Sequence, residues 1–286
     1  MLQSAIAGLA DSGGAYGILA ICLVLLHRTT GVLNFAVAAV GTCGTFLMSV
    51  LYGHGWAYLP AAILGVLLGA AISVAFGLAL ARWFFDSTPA YRAAVAIALV
   101  IGTTSLAQRV YGSNPRLIPP MVAGSVFRVD RVVVTWSGFI ALLLAIALAI
   151  GVTELLRRTS LGLRLRAIAQ RPVTAELLGL PVRWLSVGVW AVTGGLSTIA
   201  LLLISPTFSS DIPTLSLLVV PALAAALVGS FRRYRLAVFS ALVLAALQGL
   251  MAYSASLTKV QDVIPFAVVV LLLLYFERKE VWDEAR

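Results

Sequence analysis

Nine apolar runs separated by short polar or basic links constrain this chain more than any other feature of its sequence. The hydrocarbon core of a bilayer is about 30 Å thick, and a helix needs about 20 residues to cross it. The runs are Ser12–Leu26, Val32–Tyr52, Ala57–Ala81, Ala93–Gln108, Trp136–Thr153, Trp184–Ile204, Thr214–Ser230, Leu236–Ser254 and Val263–Phe276. In lipid each must satisfy its own backbone polar groups, so each is expected as a helix. Of the 286 residues, 61% are hydrophobic and 11% charged; soluble domains run near 45–50% and about 25%. One globular core cannot absorb that much apolar surface. The sequence therefore predicts an all-α polytopic membrane protein, a single transmembrane domain over 1–286 with about nine transmembrane helices. The first run is short and preceded by Asp11. Gly31, after Thr29 and Thr30, makes a hinge or a re-entrant bend, so eight crossings plus a re-entrant segment is the alternative count.

Charge gives the direction. With nine alternating crossings and a cytoplasmic C-terminus, fifteen of the 20 Lys and Arg residues fall inside. Arg116, Arg128, Arg131 and Lys259 fall outside, and Arg109 sits at a boundary. Cytoplasmic loops are enriched in Lys and Arg, so the N-terminus is expected outside. The same rule explains the net charge of +9 without nucleic acid as a partner. Trp56, Trp83, Trp136, Trp184 and Tyr253 lie at run ends, where aromatic side chains anchor at headgroup level. The first ten residues carry no basic stretch, so a cleaved signal peptide is not expected.

Several functions are disfavoured by what the runs lack. Within the boundaries drawn, none contains Asp, Glu, Lys or Arg, whereas proton-coupled carriers depend on ionisable residues inside the membrane. His27 and His54 are expected in loops on opposite faces and cannot share a metal. Cys22 and Cys43 lie in apolar runs and read as small buried residues. Lys259 and Lys279 follow no Gly-rich phosphate loop, so the chain is not expected to bind ATP or any other cofactor itself.

The richest segment is Arg157–Arg183, too polar to span and too apolar for a plain linker. Leu161, Leu165 and Ile168 recur at helical spacing beside Arg164 and Arg166, predicting a short amphipathic helix. A second short helix is expected over Val173–Leu178, with Ala175, Leu177 and Leu178 forming its apolar face and Gly179 as its cap. Physics alone leaves two uses open: resting on anionic lipid, or docking a partner.

This segment resembles the cytoplasmic coupling loop of the branched-chain amino acid permease family of bacterial ABC importers. The family pattern opens with Arg-Thr, then a Gly, then Arg-Ala, matched by Arg158, Thr159, Gly162, Arg166 and Ala167. It continues through Ala169, Gln170, Ala175, Leu178, Gly179 and Leu180. A second match is Gly31–Ala36, followed by Val37 and Ala38 where the family usually has a His-Gly pair. A third is Ala225–Gly229, followed here by Phe231, Arg232, Arg233, Tyr234 and Arg235 in place of a Gly-rich turn. The resemblance implies a multi-pass subunit of the bacterial cytoplasmic membrane that moves branched-chain or other hydrophobic amino acids inward. It also implies a second permease subunit, by family precedent a related but different chain, two cytoplasmic ATPase subunits and an external solute-binding protein. The ATPase would receive the stretch around Ala167–Gly179, with Ala169 and Ala175 allowing close approach and Leu177 and Leu178 anchoring it. Glu176 would be either a charged rim contact or a solvated residue.

Outside, the longest loop is Tyr111–Thr135, stiffened by Pro115, Pro119 and Pro120. Its Arg116, Arg128 and Arg131 are candidates for docking the binding protein, or plain headgroup-level charges. For the pathway the candidates are Gly31 and Asn34 at the start of the second helix, Gly41 and Gly44 on it, and Pro221, which frees the carbonyl of Leu217. Gly41 and Gly44 equally suit ordinary helix packing. Two alternatives remain: an ABC permease for urea, short amides, sugars or nucleosides, and a stand-alone channel or facilitator.

Overall fold

The computed structural model describes residues 6–31, 33–83, 89–122, 124–129, 132–207, 210–252, 261 and 263–284. Helices fall on all nine apolar runs: α1 (Ile6–Thr30), α2 (Val37–Gly53), α3 (Tyr58–Trp83), α4 (Pro89–Tyr111), α5 (Trp136–Arg158), α8 (Val182–Ile204), the pair α9 (Ile212–Leu217) and α10 (Val219–Val228), α11 (Tyr234–Ala252) and α12 (Val263–Glu284). Between α5 and α8 lie the short helices α6 (Ser160–Gln170) and α7 (Pro172–Leu177). Six of the helices are long and apolar enough to cross a membrane; α2, the α9–α10 stretch and α12 are shorter apolar helices. This is an all-α polytopic membrane protein with one departure: the loop before α5 carries an antiparallel hairpin, β1 (Ser125–Val129) and β2 (Val132–Thr135). Val132, Val133 and Val134 are β-branched and suit a strand.

The weakest run proves to be the central helix. From Ser12 to Leu26 every residue of α1 is buried, packed among α5, α8, α10 and α11. Its neighbours approach closely because small residues face one another. A Cβ on Gly8 would lie 2.5 Å from the Ala245 carbonyl oxygen, and one on Gly17 3.2 Å from the Ala145 Cβ. The expectation that α1 starts after Asp11 is corrected: the helix begins by Ile6 and carries Asp11 in a π-helical segment, Leu9–Gly13. An acidic side chain therefore lies within a long apolar helix, where the runs as drawn held none. His27 is corrected too, lying in the last turn of α1 rather than in a loop, its ring 4.8 Å from that of Phe231.

A second seam joins α3 to α8. Ala61, Gly65, Gly69, Ser73 and Gly77 recur every fourth residue and form the buried stripe of α3, while Leu59, Ile63, Leu64 and Leu67 point outward. Trp190 of α8 lies over Gly77, where a Cβ would be 2.6 Å from its ring, and Gly194 meets Gly69 and Ser73.

Gly31 ends α1 rather than starting α2. It sits at φ +67°, and its N–H donates to the His27 carbonyl 2.9 Å away. Nothing lies within 4 Å of where a Cβ would stand, so an alanine there would suffer only the backbone conformation. Gly31→Ala is expected to cost about 1 kcal/mol, read as a lower midpoint in thermal unfolding of the detergent-solubilised chain.

The bundle's two ends are joined by different contacts. At one end Asp11 meets Thr135 before α5, and the Arg116 N–H donates to the Ser210 carbonyl. At the other, Arg28 donates to the Arg232 carbonyl and lies over the Tyr234 ring, Glu154 pairs with Arg158 and Arg235, and α6 packs against α1 and α5.

Candidate functional site

The Arg157–Arg183 segment folds as two short helices on the end of α5. Only Thr159 separates α5 from α6, and its hydroxyl accepts the Gly162 N–H at 3.0 Å, an N-cap that starts the new helix at once. Gly162 lies against Leu155 and Leu156 of α5, where a Cβ would stand 2.5 Å from the Leu156 Cα. Glycine there lets α6 fold tightly back. Pro172 starts α7 from its first turn, which suits its missing N–H. The stretch ends in a Schellman motif. Gly179 takes φ +80° and donates to the Glu176 carbonyl, while the Leu180 N–H donates to that of Ala175.

The apolar faces divide differently from the sequence expectation. Leu165 and Ile168 do turn inward, Leu165 joining the main core. Ala175 is corrected: it is only 2% exposed and packs with Ile168 and Val182, so it is part of the internal hinge and not of an outer face. The reason is its register: α7 must bury one small residue against α6 to fold back on it. Leu161 is corrected likewise, being exposed rather than on the buried stripe. What faces outward is Leu163 (63% exposed), Val173, Leu177 (84%) and Leu178 (77%), interspersed with Arg164, Arg166, Ala169, Gln170, Arg171 and Glu176. The Arg166 Nε leans back on the Gly162 carbonyl at 3.4 Å. Ala167 is half-buried beneath them. Four large apolar side chains among cations on a short, doubly capped segment form a rigid surface suited to a partner with an apolar groove and an acidic rim.

The external-loop candidates separate. Arg116 is engaged at home: its Nη2 donates to the Tyr111 carbonyl at 2.9 Å, closing the end of α4. Arg128 lies on β1, at the register position opposite Val133. Arg131 lies outside the described residues, as do Tyr253 and Lys259.

Among the pathway candidates, Asn34 is corrected in place. It precedes α2, which begins at Val37, and its buried side-chain oxygen accepts the Ala36 N–H at 3.0 Å. It thus shapes the turn into α2. Gly41 and Gly44 face the interior, with a Cβ on Gly41 2.7 Å from the Ser197 carbonyl and Gly44 against Gly65 and Thr198. They occupy helix–helix contacts inside the chain. Pro221 is buried in the first turn of α10, and the interruption it imposes falls at Leu218, next to the carbonyl its ring crowds.

One polar constellation went unread in the sequence. An Asp11 carboxylate oxygen accepts from the Thr135 hydroxyl at 2.9 Å and from the Thr135 N–H at 3.3 Å. The same hydroxyl accepts the Gly138 N–H at 3.1 Å and so caps α5. The two partners are 124 residues apart, and Asp11 lies in the π-helical segment of α1, a pairing that sequence spacing does not reveal. Among the described residues, no group of three His, Cys, Asp or Glu side chains is gathered as a metal would need.

Comparison with known proteins adds the following. No curated protein matches the sequence. A solved structure of PsaBC from Streptococcus pneumoniae in complex with Fab aligns over 93% of this chain and 90% of that one, at 14% identity and a TM-score of 0.48. That likeness is too slight to carry an argument. The model of the branched-chain amino acid transport system permease component, in contrast, matches residues 5–273, nearly the whole chain. The Arg157–Arg183 segment, the turn at Gly31 and every helix of the bundle up to the first half of α12 fall within that match, and the chain belongs to the family of branched-chain amino acid transport system permease components.

Proposed function

We propose that this chain is a membrane subunit of an ABC importer that carries branched-chain or other hydrophobic amino acids inward. In this reading it crosses the bacterial cytoplasmic membrane nine times, with its N-terminus and hairpin outside and α6–α7 inside. It pairs with a second permease subunit, receives its substrate from an external binding protein, and leaves ATP hydrolysis to two cytoplasmic ATPase subunits. The observation that carries the proposal is the outward face of α6–α7. Leu163, Val173, Leu177 and Leu178 are exposed at the end of the bundle where Arg28, Arg157, Arg158, Arg232, Arg233 and Arg235 also lie. Cations gather on the cytoplasmic side of membrane proteins. Leucines at a capped helix end fit a groove better than water, because burying each is worth about 2 kcal/mol. The substrate class rests on the family to which the chain belongs.

The test is co-purification followed by transport. Expressed with its neighbouring subunits, the tagged chain is expected to bring down an ATPase, and proteoliposomes of the complex are expected to take up leucine, isoleucine or valine only with ATP and binding protein. Uptake by the chain alone, with neither ATP nor partners, would replace the importer by a facilitator.

A further inference from the structure

We infer that Asp11 is a positioning residue that anchors α5 as the rod joining the outer hairpin to the coupling segment. This rests on the importer reading, and asks how one end of that machine reaches the other. The chain from β2 to α7 is nearly continuous. β2 ends at Thr135 and α5 starts at Trp136; α5 ends at Arg158 and α6 starts at Ser160. The helix between them has 23 residues, about 34 Å at 1.5 Å per residue. Any displacement of the hairpin therefore enters α5 directly, and Thr159 with Gly162 passes it to α6 without a slack linker.

The seam along which α5 lies on α1 is smooth. Ser137, Gly138, Ala141, Ala145 and Ala149 are buried positions of α5; Gly138 meets Ala10 and Asp11, Ala141 meets Gly14, and Ala145 meets Gly17 of α1. Small residues without interdigitating side chains permit the slight sliding by which packed helices move. Asp11 fixes the top of that seam. Its carboxylate takes both the hydroxyl and the N–H of Thr135, and Gly138 lies so close that a Cβ would stand 2.8 Å from the same carboxylate oxygen. The negative charge also sits at the N-terminus of α5, where the helix dipole favours it. Asp11 lies in the π-helical segment Leu9–Gly13, and π-bulges recur at functional sites. Asp11 thus makes the hairpin end of α5 a pivot on the central helix, so that motion of the hairpin appears at α6–α7 as rotation of the rod instead of being lost as slip along the seam.

The measurement is ATPase activity of the reconstituted complex of permease, partner permease and ATPases, with and without binding protein loaded with leucine, isoleucine and valine. Asp11→Ala, which removes the acceptor oxygen that an asparagine would keep, is expected to leave basal hydrolysis and membrane yield unchanged while the stimulated-to-basal ratio falls at least about fivefold, the lower end of ordinary coupling between sites. Thr135→Ser keeps both the cap and the donor and is expected to retain the wild-type ratio. Adding Thr135→Ser to Asp11→Ala is expected to lower the ratio no further, since the hydroxyl still caps α5 and the link to Asp11 is already gone. An unchanged ratio in Asp11→Ala overturns the inference, and so does a loss of basal and stimulated rates in equal proportion, which marks a merely structural clamp. Absence of stimulation in the wild-type complex overturns the importer reading itself, and this one with it.

Discussion

Leu178→Glu is expected to abolish substrate-stimulated ATP hydrolysis by the assembled importer while leaving the chain folded and in the membrane. Leu178 is the C-cap of α7, and its backbone N–H bonds to the Thr174 carbonyl whatever the side chain is. The side chain itself is 77% exposed, so its replacement opens no cavity within this chain. The effect falls on the docked state. Seating a leucine in a groove is worth about 2 kcal/mol, and forcing an unpaired carboxylate into the same place costs several more. At about 1.4 kcal/mol per tenfold, binding of the ATPase weakens by at least about a hundredfold. Leu178→Met, with similar volume and no charge, is expected to keep most of the activity. Gly179 is the poorer choice because a side chain at φ +80° would strain the motif that ends α7. Ala175 is poorer still, being buried between Ile168 and Val182. Full stimulation in Leu178→Glu, with the protein present in the membrane at wild-type level, removes the coupling assignment.

The contrast between Leu178 and Ala175 shows where sequence reasoning succeeds and where it stops. The apolar runs located every helix of the bundle, because the length needed to cross lipid is a strong and local constraint. They could not say which helix lies at the centre. A helix apolar all round can face lipid or protein equally well, and Ser12–Leu26, short and preceded by Asp11, read as the weakest run although it is the most enclosed of the candidate spans. The legible signal was the spacing of small residues. Ala61, Gly65, Gly69, Ser73 and Gly77 repeat every four positions and name the buried stripe of α3 outright; the same logic applied to Gly41 and Gly44 gave their packing role. In the Arg157–Arg183 segment the apolar residues of the two short helices were readable, but their register was not. Ala175, Leu177 and Leu178 are apolar alike, and only the fold-back of α7 on α6 decides that Ala175 turns in and the leucines turn out. Asp11 and Thr135 were beyond reach for a different reason: they lie 124 residues apart, and only tertiary packing brings them together. The pairing of 125–129 with 132–135 went unread in a loop described only as stiffened by its prolines.

That small-residue seam carries the second large prediction. Gly194→Ala is expected to prevent α3 and α8 from packing, with loss of most of the folded protein in detergent. A Cβ at Gly194 would stand 2.5 Å from the Gly69 carbonyl oxygen and closer still to the Ser73 Cβ. Neither obstacle is the mobile end of a long side chain. One is backbone in the middle of a helix, the other is fixed to it, so relief requires the two helix axes to separate. Separation then breaks the fit of Gly77 under Trp190 and of Gly69 beside Thr198 along the same line. Overpacking a core costs about 1–3 kcal/mol where side chains can adjust, and the cost here lies at the upper end because none can. The control is on the same helix. Gly188 has nothing within 4 Å of its Cβ position, and Gly188→Ala is expected to be neutral or to stabilise by up to about 1 kcal/mol through helix propensity. Thermal unfolding of the two variants against wild type separates the explanations, since propensity alone moves both upward and only a rigid seam moves Gly194→Ala sharply down. Equal midpoints would mean that α3 and α8 yield to each other, and that the Ala61–Gly77 stripe marks proximity rather than a close-packed contact on which the bundle depends.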